Sequence, residues 1–382
     1  MLTRENIAVT APPVASSRRY DIDWLRIGVV FLLLPYHSAR VFDIWEPFYV
    51  KNAQLNDPLS YIIGPLSAWF MPLLFFLAGA SSWFALSFRS GEQYATERFK
   101  RLLLPLLFGV LIIVPPQAYY ARLSRPPYQD NYFQFYLNYF QNINFDRSDY
   151  DGMVFTFAHL WFVLFLAVFS LLVLPLFIYL KREPQILAKL VAFLEKPAIL
   201  FLVPLMFVVV SLVPDILGKP ADINLAIFIL GFIFVSDKRL VRLIDRYYLL
   251  ALIAGLGATA VYSLIALSIG LQSDYSPIKA IFDISVIAAG WYISIGLLGL
   301  GHRYLNFTNR LQKYLNEAVY PVYILHQTVI VIVAFYVVQL SLDTGLKFLL
   351  ILAASLVTTL GLFDLVVRRA NITRLLFGLK PK

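Results

Sequence analysis

Stretches apolar enough to cross a bilayer recur along this chain, at roughly 22–42, 60–87, 102–119, 153–180, 198–214, 222–236, 248–270, 280–300, 319–340 and 346–367. A helix needs about 20 such residues to cross the hydrocarbon, and a helix pairs its own backbone groups where no water can. The sixth stretch is the shortest. A soluble globule is excluded, because 60% hydrophobic and 14% charged residues leave too little polar surface to cover one. Mean hydropathy is +0.72. The expected fold is an all-α polytopic bundle of about ten transmembrane helices.

Cations orient such a bundle. Of the 32 Lys and Arg, 23 lie in the N-terminal tail, in the connections near 88–101, 181–196, 237–247 and 302–318, and after the last span, at 368–382. Seven lie in the alternate connections, counting Lys347 at a helix start. Both termini are therefore expected in the cytoplasm. The same clustering accounts for a net charge of +9 without nucleic acid, and makes anionic lipid headgroups of the bilayer the natural partner. Residues 1–19, with Pro12, Pro13, Ser16 and Ser17, read as a disordered cytoplasmic tail leading into an uncleaved signal anchor. No small-residue cleavage site follows a short apolar core. Residues 20–370 form one membrane domain, and 371–382 a cytoplasmic C-terminal tail. The absence of cysteine excludes disulfides, thiolate metal sites and an acyl-cysteine intermediate. No internal repeat or second soluble domain is evident.

Titratable side chains inside the spans are costly and mark function by default. Arg26 and His37 share the first span with ten residues between them. That spacing returns His37 to within about 20° of Arg26 and about 16 Å further along a helix. A cation thus sits near one membrane surface and an imidazole about halfway across. Arg26 also has Asp23 one turn earlier as an ion-pair partner, and the two roles are compatible. His159, followed by Leu160, Trp161 and Phe162, lies inside the fourth span; His326, three residues after Tyr323, lies in the ninth. A lone buried histidine is often hydrogen-bonded packing, but three at compatible depths favour a site. His302 begins a cytoplasmic connection and reads as structural.

Arg98 and Arg101, three apart before the third span, share a helix face and can grip a phosphate through forked hydrogen bonds. Alone they are also a positive-inside stop signal. Among the acids, Asp364 has Arg368 four residues on, Glu317 can cap or pair with a loop cation, and Asp283 is a candidate to line an acceptor cavity. The loop near 117–152 carries Tyr119, Tyr120, Tyr128, Tyr132, Phe145 and Tyr150 among polar residues. It reads as an interfacial aromatic belt or as a lid over a carbohydrate.

A phosphate clamp at one surface, a base halfway across and a polar outer loop suit acyl transfer from a cytoplasmic coenzyme A thioester to an extracytoplasmic hydroxyl. Arginines would hold the donor phosphates, and a neutral imidazole would take the hydroxyl proton or accept the acyl group itself. At these residues the chain resembles the type-three integral-membrane acyltransferases. The resemblance rests on Arg26 and His37, on Arg98 and Arg101, on His159 through Phe162, and on Tyr323 through His326. Segments His159–Phe162 and Gly301–Phe307 are similar to those of enzymes that succinylate periplasmic glucans. The resemblance implies ten spans, an acyl-CoA donor, a glycan or other hydroxylated acceptor, and transfer across the bacterial inner membrane. It implies His37 as the catalytic histidine, with Arg26, Arg98 and Arg101 as donor-site or structural residues. His159, Trp161, Tyr323 and His326 are candidates for substrate binding. No permanently bound cofactor or metal is expected. Asp43 stands one residue too far from His37 for the soluble His-X4-Asp pattern, and there is no Gly-X-Ser-X-Gly elbow. The rival reading is a transporter or flippase that uses the same histidines and arginines without making a bond.

Overall fold

Residues 18–45, 47–141, 150, 155–211, 214–269 and 277–382 are described by the computed structural model. The expected tail before residue 18, Phe145 and the tip of the 270–276 connection lie outside them. Among the described residues the chain is helical, with one isolated bridge between Ile216 and Lys219. The helices are α1 Tyr20–Ala39, α2 Asp57–Ala85 and α3 Gly91–Leu123, α4 Tyr132–Tyr139, α5 Trp161–Leu172, α6 Leu174–Arg182, α7 Pro184–Leu194 and α8 Pro197–Val210. They continue with α9 Ala221–Phe234, α10 Lys238–Ile269, α11 Pro277–Tyr304, α12 Arg310–Val337, α13 Thr344–Val367 and α14 Asn371–Leu376.

Each apolar stretch contains helix among its described residues, yet the stretches are unequal as spans. Among the described residues six helices (α2, α3, α10, α11, α12 and α13) are long and apolar enough alone, and eight spans result if α5–α6 and α7–α8 each count once. Both pairs are broken. Pro175 follows a 45° bend between α5 and α6, and α7 meets α8 at 93°, so the expected 181–196 connection is itself a helix turned across its neighbour. The α1 helix is 20 residues long but contains Asp21, Asp23 and Arg26, and α9 has only 14 residues.

Local sequence sets several helix starts. Ser90 and Gln93 form a reciprocal capping box at α3, and Asn131 and Gln134 form another at α4. Asn309 and Asp343 cap α12 and α13. Within α3, Phe99–Leu103 and Gly109–Ile113 are π-helical. Burial identifies the centre of the bundle: 78% of the apolar window of α12 is buried, against 17% for α10. Most of α10 therefore faces lipid and α12 faces protein.

Short α9 is held by close approach to α2. A Cβ on Gly231 would stand 2.1 Å from the Phe76 carbonyl oxygen, and one on Gly79 would stand 1.9 Å from that of Phe228. Only glycine permits backbones this near, the small-residue packing common between helices in membranes. Stacked Phe177 and Phe232, with centroids 3.7 Å apart, flank the crossing.

One end of the bundle gathers the start of α1 and the C-terminal segment. Trp24 donates to the Phe307 carbonyl at 3.1 Å, Arg26 to Asn316 at 2.7 Å, and Arg374 to Glu317 at 2.8 Å. Phe377 is buried after α14, so the C-terminal segment packs back on the domain. Asp364 and Arg368 form the expected ion pair at 3.5 Å, extended by Arg368 to Glu317 at 3.2 Å. His302 meets Asp245 at 2.8 Å. We expect Gly231→Ala to lower unfolding free energy by about 1–3 kcal/mol through overpacking. Gly361, whose Cβ would meet nothing within 4 Å, should tolerate alanine with no loss, and detergent thermal melts compare the two.

Candidate functional site

At the end of the bundle opposite the start of α1 lies a cavity of about 600 Å³. His37, in the last turn of α1, lines it together with His159, from the turn before α5, and His326 of α12. Although 165 residues separate their segments, His159 Nε2 donates to the Ile324 carbonyl at 2.9 Å. Tyr323 returns the contact by donating its hydroxyl to the His159 carbonyl. His326 is fully buried and its Nδ1 donates to the Tyr323 carbonyl at 2.7 Å. Ring centroids are 5.2 Å apart for His37 and His326 and 5.1 Å for His159 and His326. The His37 ring also stacks on Phe48, at 6.1 Å and 17°.

A carbonyl oxygen can only accept, so these bonds fix where two protons sit: on Nε2 of His159 and on Nδ1 of His326. In the neutral rings the opposite nitrogens carry lone pairs. His159 Nδ1, His326 Nε2 and His37 Nδ1 are all buried without a hydrogen-bond partner. Such atoms are rare in packed interiors and usually answer to a water or a ligand.

The cavity rim depends on Asp43. This fully buried carboxylate holds Arg40 at 2.8 Å and Lys51 at 2.8 Å, and accepts the Trp45 backbone N–H at 3.2 Å. Arg40 also donates to the Pro47 carbonyl at 3.2 Å. The segment between α1 and α2 is thereby folded over His37, with Trp45, Phe48 and Tyr49 on the cavity wall. Aromatic rings dominate elsewhere too, among them Tyr61, Tyr150 and Trp161. Lys219 Nζ stands 5.6 Å from the Trp161 ring. Among the described lining residues there are two cations, Arg40 and Lys219, and no carboxylate.

The arginines stand apart from this cavity. Arg26 binds Asp23 at 2.6 Å and Asn316 at 2.7 Å. Arg98 contacts Ser82 Oγ at 3.4 Å and lies 4.7 Å from the Tyr94 ring centroid. Arg101 meets Glu97 at 3.2 Å and is close enough to Arg98, Arg89 and Arg26 to be repelled by each. They therefore form a cationic cluster at the terminal end of the bundle. Arg101 lies in the π-helical turn Phe99–Leu103, which begins directly after Arg98.

The family model for the membrane acyltransferase domain of the third type, described as an acyltransferase domain, matches residues 19–368. The chain belongs to this acyltransferase family. No curated protein and no solved structure matches it significantly. The match covers both the histidine cavity and the arginine cluster of this membrane acyltransferase.

Of the residues singled out in the sequence, His37, His159, Trp161, Tyr323 and His326 converge on the cavity, whereas Arg26, Arg98 and Arg101 gather elsewhere. Asp283 does not line the cavity; it pairs with Lys279 at 2.8 Å on an exposed helix face. Of the aromatic loop, Tyr150 reaches the wall, while Tyr119 and Tyr120 belong to α3 and Tyr132 to α4. Sequence reading missed Arg40, Lys219, Asn224 and Gln327 on the wall. Two had local signals: Arg40 is one turn beyond His37, and Gln327 adjoins His326. Lys219 and Asn224 had none. We expect Asp43→Ala, which strips Arg40 and Lys51 of a buried partner, to cost about 3 kcal/mol. Asp283→Ala, breaking a pair whose side chains are 50% and 45% exposed, should cost under about 1 kcal/mol. Thermal unfolding of the two variants in one detergent gives the comparison.

Proposed function

We propose that this membrane acyltransferase moves an acyl group, succinyl or acetyl, from acyl-CoA to a hydroxyl of an extracytoplasmic glycan. The observation that carries the reading is the cavity where three histidines meet, with His37 on its wall. His37 is the general base: it takes the hydroxyl proton, the hydroxyl oxygen bonds to the acyl carbon, the carbon–sulfur bond breaks, and the proton passes to the departing CoA thiolate. In the covalent variant His37 carries the acyl group between donor and acceptor. The aromatic wall offers ring faces to sugar rings, and its hydroxyls and amides offer hydrogen bonds.

Arg26, Arg98 and Arg101 supply positive charge for the CoA phosphates at the other end of the bundle. The distance from Arg26 to His37, about 16 Å along a helix, is then the reach required of the extended pantetheine arm. With the positive-inside orientation, donor binding is cytoplasmic and the acceptor cavity faces outward, across a bacterial inner membrane. The similarity of two segments to glucan-succinylating enzymes favours a periplasmic glucan as acceptor.

Purified protein in liposomes should release CoA over time only when a cell-envelope glycan extract is present. Movement of glycan without CoA release would replace this reading with transport. We expect His37→Ala to abolish transfer at near-normal membrane abundance, and retained turnover would remove His37 from the chemistry. Arg98→Ala should raise the donor KM by about tenfold with kcat little changed, the pattern of a lost binding contact. An unchanged donor KM would assign Arg98 to structure, where Ser82 and Tyr94 already hold it.

A further inference from the structure

Two of the three clustered histidines have their tautomers set by backbone carbonyls, and the third does not. His326 Nδ1 donates to Tyr323 and His159 Nε2 to Ile324, which leaves His326 Nε2 and His159 Nδ1 as buried acceptors lacking a donor. His37 Nδ1 is buried and unpartnered as well. His37 therefore has a nitrogen able to donate, and its nearest ring neighbour among the histidines has one able only to accept. Their centroids are 5.2 Å apart. Two imidazoles joined in line by an N–H···N bond of about 2.9 Å have centroids about 5 Å apart. The rings are tilted by 43° and the two nitrogens are not bonded as they stand, so rotation of a ring or one bridging water would complete the link.

We propose that His326 is a positioning residue for His37: its Nε2 accepts the Nδ1 proton of His37, directly or through one water, and so keeps Nε2 of His37 unprotonated. This extends the base role of His37 proposed above. The arrangement follows the logic of triads, in which a third group orients the base and holds its tautomer. Here the Tyr323 carbonyl fixes His326, and His326 fixes His37. The carbonyl lies in the α12 turn that also supplies the Tyr323 hydroxyl to His159, so the three rings are set by one stretch of helix.

The experiment reads tautomers rather than turnover. Ring-nitrogen NMR of the full chain in liposomes, labelled with 15N-histidine and assigned by loss of each signal in single His→Ala variants, distinguishes Nδ1–H from Nε2–H. Wild-type His37 should be protonated on Nδ1. His326→Leu removes the acceptor and should move His37 toward Nε2–H, whereas His326→Gln, whose amide oxygen falls near the Nε2 position, should keep it on Nδ1. His159, protonated on Nε2 throughout, reports that the fold persists. Wild-type His37 protonated on Nε2 would overturn the proposal. So would an unchanged His37 tautomer in His326→Leu with the His159 signal intact. If His326→Leu loses the His159 signal, wild type and His326→Gln decide, and His37 protonated on Nε2 in either overturns it. CoA release from succinyl-CoA with glycan extract separates this from the base assignment. The Leu variant should lose about 100-fold in kcat and the Gln variant recover much of it, with KM values within about threefold. The expected tautomers with undiminished turnover in both variants would uphold the positioning of His37 and overturn its role as base.

Discussion

A polar group inside hydrocarbon has to find its partner within the protein, because the lipid offers none. Helices meet that demand for the backbone, and the side chains show the same constraint. Ser294 bonds back to the Gly290 carbonyl at 2.6 Å, Trp291 donates to Leu200 at 2.9 Å, and Tyr292 donates to Phe201 at 2.6 Å. Lys347, buried at the start of α13, is met by Asn52 at 3.1 Å and Val338 at 2.8 Å. Other buried atoms, among them Ser170 Oγ and Thr359 Oγ1, lack a partner too, but the histidines do so together. Three ring nitrogens remain without partners in one place, beside a cavity large enough for a ligand.

Charge is divided along the bundle in a way that separates two tasks. The terminal end is crowded with both signs, and its acids hold its cations: Asp23 with Arg26, Glu97 with Arg101, Glu317 with Arg374. At the cavity end the buried carboxylate Asp43 is spent on Arg40 and Lys51, behind the wall rather than on it. A described lining of imidazoles, aromatic rings, amides and two cations favours groups that carry negative charge or develop it. An oxyanion forming on an acyl carbon is such a group.

The apolar lengths that make helices were legible in the sequence, since they follow from span length and composition alone. The bends were not, because a proline such as Pro175 marks where a helix can turn without stating the angle. Nor was the tight crossing of α2 and α9, which needs Gly79 to lie against the Phe228 backbone and Gly231 against the Phe76 backbone, about 150 positions away in the chain. Depth along each span brought His37, His159 and His326 to one level on paper. Their mutual bonds run through the backbone of Ile324 and Tyr323, and a backbone carbonyl carries no sequence signature. The π-helical turn Phe99–Leu103, which begins directly after Arg98, had no signal in the sequence either.

Contacts between α1 and α12 tie the two ends of the site together. Arg26 touches Asn316 at the terminal end, and His37 neighbours His326 at the cavity end. From Arg26 to His37 is eleven residues and from Asn316 to His326 is ten, or about 16 Å and 15 Å of helix. The helices therefore run parallel and nearly in register, as two spans entering from the same membrane side must. A slide of α1 along its axis large enough to part His37 from His326 would also pull Arg26 from Asn316. The Arg26 ion pair with Asp23, local to α1, would survive that slide, whereas the Asn316 bond and the Trp24 bond to the Phe307 carbonyl would both be lost, so both tie the height of α1. Arg26 thus has structural work of its own: one guanidinium nitrogen meets both Asp23 within α1 and Asn316 on α12, joining the two helices at the end opposite the histidines.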